Sequence, residues 1–398
     1  MATVHIIGAG ISGLAAATAL SQAHVPVKLY EASTHAGGRC RTTRDPKVGA
    51  IDSGLHLFSG AGRELWHFID RIGSREAFQP VVMPWIVHDG QDHPLDTKHL
   101  PYLPLADAAR LARYLAWPGD AALNAVLAEE SPYFDQWLAP MARLALHRPA
   151  HGAAARQWRA AMLRQLRRGG TQWFMARESL QQSFLAPALA QLEYQGSSVY
   201  YGQPLKALEL SDDHVRQLNF ARQRVALDAQ DVVIVATPAP VTGALLPMVA
   251  TPPSQISSIT LHYAIDHREP AGSVRVLANR AADLVRYDTD AIRTTIRLAE
   301  PSWHSDDAVL AAHVWRDLQR IHPYLPALPD WAIWREKRAG HRPLDRALPA
   351  PALPARLLLA GDWLDATRAS SLNVAAASGH RAAAQAMTLI GKQLLRAQ

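Results

Sequence analysis

The sequence predicts an α/β protein: a Rossmann-type nucleotide-binding domain interleaved with a mixed α+β second domain. Three observations carry this expectation. A strand, a glycine-rich turn and a helix open the chain, and strand and helix signals then alternate in blocks along its whole length. Near the end a strand returns and closes on a glycine-acid turn, "LLLAGDW" (357–363). At 398 residues the chain is long for one hydrophobic core, which argues for about two domains.

The opening segment, "TVHIIGAGISGLAAATAL", has the order of a βα dinucleotide turn. An apolar strand (Val4 to Ile7) leads into Gly8, Gly10 and Gly13 in G-x-G-x-x-G spacing, and a helix follows. Gly8 allows the tight turn, Gly10 admits a pyrophosphate close to the backbone, and Gly13 lets helix and strand pack closely, so the helix N-terminus faces the phosphates. A second strand, "PVKLYEA", ends at Glu31, placed to accept hydrogen bonds from a ribose. Further on, "PWIVHDGQDHPLD" (84–96) reads as two short strands around an Asp89-Gly90 turn. Residues 103–195 turn helical, strands return from "SSVYYGQPL", and "DVVIVATP" is a buried-strand run. The resulting division assigns 1–82, 191–245 and 343–398 to the nucleotide-binding domain, and 83–190 and 246–342 to the second.

Composition narrows the chemistry. Cys40 is the only cysteine, which excludes internal disulfides, Cys-ligated iron–sulfur clusters and a Cys-based zinc site, and no metal site is expected. The net charge of +6 fits an anionic cofactor or lipid surface as well as nucleic acid, and nothing else in the chain asks for nucleic acid. The strand begins almost at the first residue, so no signal peptide is read, and no window approaches roughly 20 apolar residues. The expectation is a cytoplasmic protein that lies on the inner membrane if it meets one. "RQWRAAMLRQLRRGG" (156–170) suits such a contact, with Trp158, Met162 and Leu166 on one side of a helix and Arg164, Arg167 and Arg168 opposite. An ordinary packed helix with a solvated arginine face competes with that reading.

"EASTHAGGRCRTT" chooses between nucleotides, because Gly37, Gly38 and Arg39 follow the ribose-binding acid. A nicotinamide dehydrogenase has no need of that turn, whereas a longer flavin dinucleotide needs a further backbone patch and a cation along its pyrophosphate and ribityl chain. With GxGxxGLxxA, the acid and GGR in place, the chain resembles the FAD-dependent amine oxidase and phytoene desaturase superfamily. The resemblance extends through "VGAIDSGLHLFSG" (48–60), "ALDAQDVVIVATPAP" (226–240) and "LLLAGDW", in family order. It implies FAD as cofactor, held also by Ser12, Gly54, Leu205, Gly361, Asp362, Leu372 and Asn373. Gly361 and Asp362 then serve the far end of the same cofactor. A helix beginning near Ser371 to Asn373 would aim its N–H groups at the N1–C2 edge of the flavin. Where the family commonly has glycine after the first helix, His24 stands, and it reads as a turn residue.

A narrower resemblance joins "DSGLH" (52–56), "WREKRAGHRP" (334–343) and "AGDWLDATRASSLNVAAASGHRAA" (360–383) to the squalene-associated FAD-dependent desaturase branch, the hydroxysqualene dehydroxylases of hopanoid and related triterpene synthesis. Ser53 and Leu55 replace that branch's Asn and Gln. The branch implies an apolar isoprenoid substrate, hydride delivery from reduced FAD to an allylic carbon, and a proton donor for the leaving hydroxyl. His56 and Asp52 are the nearest catalytic candidates, although both also suit a loop held by backbone hydrogen bonds. No second glycine fingerprint lies between Gly62 and Gly361, so an external electron donor is expected. A carotenoid-type desaturase, an amine oxidase and a non-catalytic flavoprotein partner of an isoprenoid synthase are the alternatives.

Overall fold

The structure is a computed structural model that describes residues 2–391, apart from 82–84, 89, 96–103, 118, 120, 121, 128–130, 132, 152, 166–171, 212 and 213. Asp89 of the expected turn, and Leu166, Arg167 and Arg168 of the expected basic helix, lie outside the described residues.

Val4–Ile7 and Val232–Val235 are apolar or buried at every position, as strands covered on both faces must be. They form the middle of a five-stranded parallel sheet. Val27–Tyr30 and then Ser198–Tyr200 extend it on one side, and Leu357–Leu359 on the other. Five strands from widely spaced stretches of chain thus build one Rossmann-type sheet, as the interleaving predicts. His24 has a φ of 55°, the left-handed geometry that glycine adopts most easily, so it does the turn work expected of it.

On one face of the sheet, Ile11–Gln22 packs against the last helix, Leu372–Leu389. Their approach depends on Gly379, where a Cβ would fall 2.2 Å from the Ser12 carbonyl oxygen. The run "AAASG" is therefore a contact surface between two helices.

The second unit centres on a seven-stranded sheet. Five strands come from 255–341, and Trp85–His88 and Asp92–Leu95 join its edge. Helices Leu105–Ala116, Ala139–Leu146 and Ala155–Gln165 form a satellite core around Trp158. The apolar side of the basic helix is thus turned inward, Trp158 buried and Met162 packed beside it, as in the ordinary packed helix that the sequence also offered. The chain rejoins the nucleotide-binding core ahead of residue 190. Trp173–Ala176 pairs with Phe58–Ser59 and Phe78–Pro80, and Leu180, Phe184, Ala188 and Leu192 share a core with Val4 and Leu14.

Gly379→Ala is expected to force these two helices apart and cost about 1–3 kcal/mol, read as a lowered denaturant midpoint. An unchanged midpoint would show that the helices can separate without penalty.

Candidate flavin-binding site

The first turn is built around Gly8, which has a φ of 108° and whose N–H donates to the Tyr30 carbonyl at 2.7 Å. A Cβ at Gly13 would sit 1.9 Å from the Gly8 carbonyl oxygen, so turn and helix close on each other. At Gly10 a Cβ would meet nothing within 4 Å. That space lies in front of a helix N-terminus that no side chain caps, which is the shape and polarity a pyrophosphate requires. Ser12 is buried in the first turn of this helix. Glu31 accepts the Ala9 N–H at 2.8 Å and the Ser33 N–H at 2.9 Å, leaving further lone pairs for a ribose. Gly37 donates to the Ala9 carbonyl at 2.8 Å, and Gly38 lies against Gly10. Gln203 donates to the Glu31 carbonyl at 2.8 Å, which brings Leu205, at the head of strand Leu205–Leu210, near the acid.

The late turn meets this track. Gly361 donates to the Ser378 hydroxyl at 3.0 Å, and Asp362 pairs with Arg39 at 2.7 Å. Arg39 also donates to the Ala339 carbonyl at 3.1 Å. Burial opposes ionisation of Asp362, but the Arg39 charge and hydrogen bond, with His341 and Ser370, outweigh it and hold the carboxyl below its ordinary value. One Asp362 oxygen is therefore already engaged. Ser371 caps the last helix, accepting from the Val374 N–H at 3.3 Å. The Asn373 side chain is engaged within the protein, its oxygen accepting the Leu65 N–H at 3.1 Å and serving helix Arg63–Arg71. The Leu372 side chain packs on the core.

Asp52 is buried, with its carboxylate accepting from Thr42 Oγ1 at 2.6 Å and the Leu180 N–H at 3.1 Å. Arg293 stands 3.6 Å away, and His262 donates to the Asp52 carbonyl at 3.1 Å. Burial pushes its carboxyl up against these partners. Such a residue anchors its loop. Gly54 lies between His56 and Thr260. His56 is half-buried, and burial first, then Arg39 and Arg297, push it down to about 4, so it is neutral near pH 7. Cys40 Sγ lies 4.0 Å from the His56 ring nitrogens, and burial pushes that thiol up to about 12.

Three residues that the sequence reading did not single out join this group. His147 is pushed down to about 3 by burial and by Arg297, within the field of His341, Asp362 and Arg39. Arg297 donates to the Leu144 carbonyl at 3.1 Å, and His341 lies against Ser370. His341 falls inside "WREKRAGHRP" and could have been found there, whereas His147 and Arg297 belong to no motif. Both units thus supply cations and neutral histidines to one place, beside the Arg39–Asp362 pair.

The family model described as flavin-containing amine oxidoreductase matches residues 11–387. This chain belongs to that family. As a member it is an FAD-dependent oxidoreductase, and the open space at Gly10, the uncapped helix and Glu31 fit the cofactor's ADP half. The family member is 30% identical to the hydroxysqualene dehydroxylase of Zymomonas mobilis over 98% of this chain and 100% of that protein. It is 31% identical to the hydroxysqualene dehydroxylase of Rhodopseudomonas palustris over 96% and 97%. By contrast, the zeta-carotene desaturase of Synechocystis matches over 18% of the chain, at 36% identity and over 15% of its own length. Among solved structures, an oxidoreductase from Methanosarcina mazei superposes with a TM-score of 0.73 at 15% identity, covering 95% of this chain and 99% of that one. Cyclohexylamine oxidase from Brevibacterium oxydans superposes at 0.71 and 17%, covering 98% and 99%. At these identities the structures establish the fold.

His147 generates a pH prediction. Unfolded, it takes a proton near 6.5; folded, only near 3. Its contribution to stability is full above pH 6.5 and is lost as pH falls toward about 3. His147→Asn keeps a residue that tolerates the φ of 51° at this position. It is expected to lose less stability than the natural chain between pH 7 and 4.5 in denaturant titrations; equal losses would place the acid sensitivity elsewhere.

Proposed function

We propose that the chain is a hydroxysqualene dehydroxylase that removes an allylic hydroxyl from a long isoprenoid and yields squalene and water. The observation that carries this reading is the near-full-length similarity to the proteins of that name, at 28–31% identity, against a match of 73 residues to carotene desaturases. Bound in its reduced form, FAD supplies the hydride. The residues of the chain must bind the cofactor, hold the apolar substrate and assist departure of the hydroxyl.

We assign cofactor binding to Gly8, Gly10, Ser12, Gly13, Glu31, Gly37, Gly38 and Arg39 at the ADP end, and to Gly361, Asp362 and the backbone at Leu372 and Asn373 at the other. His56 is assigned to orienting the leaving hydroxyl: its one ring hydrogen is held by the Arg39 backbone carbonyl, so its other nitrogen accepts from the hydroxyl, while Arg39 and Arg297 favour negative charge developing on that oxygen. Asp52 is assigned to positioning, since its carboxylate is spent on Thr42, Leu180 and Arg293. Leu55 and Leu57 flank His56 and pack in an apolar core cluster with Met175, Val276 and Leu144, and we assign the isoprenoid chain to the side of His56 that this cluster backs. Reducing equivalents come from an external donor.

Protein reduced under anaerobic conditions and given hydroxysqualene is expected to form squalene with matching flavin oxidation. FAD-loaded protein that forms none would sink the assignment.

We place the contact with an anionic membrane on helix Leu105–Ala116 and Trp117. Leu105 is 91% exposed and Trp117 83% exposed, with Arg110 and Arg113 exposed on the same helix. No described helix is long and apolar enough to cross a membrane. Trp117→Ser is expected to weaken binding to anionic vesicles about tenfold; unchanged flotation would refute this face.

A further inference from the structure

The end of strand Trp331–His341 and the loop before the last helix are joined by one hydroxyl. Ser370 Oγ accepts the His341 N–H at 3.0 Å and lies 2.8 Å from His341 Nδ1. His341 Nε2 faces the Arg368 carbonyl at 3.0 Å. Asp362, the partner of Arg39, lies within reach of the same hydroxyl. A Cβ at Gly340 would fall 2.8 Å from Ser370 Cβ, so this contact has no slack.

These partners dictate proton positions. A carbonyl only accepts, so His341 Nε2 carries a hydrogen. When the ring is neutral, Nδ1 is an acceptor and takes the single Ser370 hydroxyl hydrogen. When the ring is charged, Nδ1 donates to Ser370 Oγ, and the hydroxyl hydrogen is released toward Asp362. Ser370 cannot serve both acceptors at once, so the protonation of His341 decides whether Asp362 receives its hydrogen bond.

We propose that His341 is a positioning residue that takes up a proton when negative charge arrives at the adjoining flavin site, and that Ser370 relays the change to Asp362. Reduction of FAD adds that charge, and the added proton comes from solvent. Opposing groups surround the ring. Burial and the Arg39 charge push His341 down, while Asp362, Asp365 and the hydrogen bond to Arg368 push it up. His147 faces it from the helical segment as a further, neutral group. With these effects in opposition, a further negative charge nearby raises the ring's affinity for a proton.

The inference rests on the flavin site and is independent of the substrate assigned above. It is tested by measuring the midpoint potential of bound FAD and the FAD dissociation constant from pH 5 to 8, in the natural chain, His341→Asn and Ser370→Ala. The natural chain is expected to take up one more proton per two electrons than His341→Asn over part of that range. Such uptake changes the reduction equilibrium tenfold per pH unit, about 30 mV. Ser370→Ala is expected to keep the extra proton but lose the pH dependence of FAD affinity. Equal slopes in the natural chain and His341→Asn overturn the proposal, as does a Ser370→Ala protein whose affinity follows pH as the natural chain does. NMR of histidine-labelled natural protein gives a reading that needs no variant: one imidazole must gain a proton on reduction, and none doing so overturns the proposal. Failure of the natural chain to bind FAD would instead overturn the flavin site itself.

Discussion

Arg39 and Asp362 are separated by 323 residues of chain and by 2.7 Å in space. Asp362 is buried and Arg39 only partly so, and each stands in a loop that follows a strand of the same parallel sheet. A carboxylate buried there without its guanidinium would be an uncompensated charge, so the two loops can hold their form only together. Around this pair the rest of the site is arranged. Arg39 reaches the Ala339 carbonyl of the second unit, Asp362 draws in Ser370 and His341, and His56 and His147 stand neutral under the same positive field.

The pair also explains why the chain interleaves its two units. A dinucleotide as long as FAD spans more backbone than one βα turn offers, and a second loop of the same sheet is where we assign its far end. Leu357–Leu359 adds the strand that carries it, beside Val232–Val235. Between those strands the chain leaves to build the large antiparallel part of the second unit and returns with His341 at the end of its last strand. The loop after Leu357–Leu359 brings Ser370 against that strand end. A Cβ at Gly379 has no room beside Ser12, so the last helix is held tight against the first, and the late loop is fixed relative to the early one.

Legibility in the sequence followed the range of the interactions. The G-x-G-x-x-G turn, Glu31, the Gly37–Arg39 run and Gly361–Asp362 could be read because each depends on local backbone geometry that few residue types satisfy. Asn373 was legible at the start of the last helix, but its side chain found the N-terminus of helix Arg63–Arg71, a partner 308 residues away along the chain. Trp158 and Met162 formed a clear apolar stripe, yet periodicity says only that a stripe is covered, and here the cover is the helical cluster itself. The helical pattern beginning at Leu105 was legible, but not that Leu105 and Trp117 stay exposed.

By itself, then, the sequence determined the nucleotide-binding frame and the turns to which we assign the cofactor, since glycine turns and buried strands are local demands on residue type. Only the tertiary structure decided what surrounds the Arg39–Asp362 pair. Arg297, His147 and His341 come from a sheet strand, a helix terminus and a strand terminus, and no spacing along the chain relates them. Their neutral or charged forms depend on burial and on charges brought near by folding, with the Arg39–Asp362 pair at the centre. That is a property of distances in space, and it exists only once both units have closed on one another.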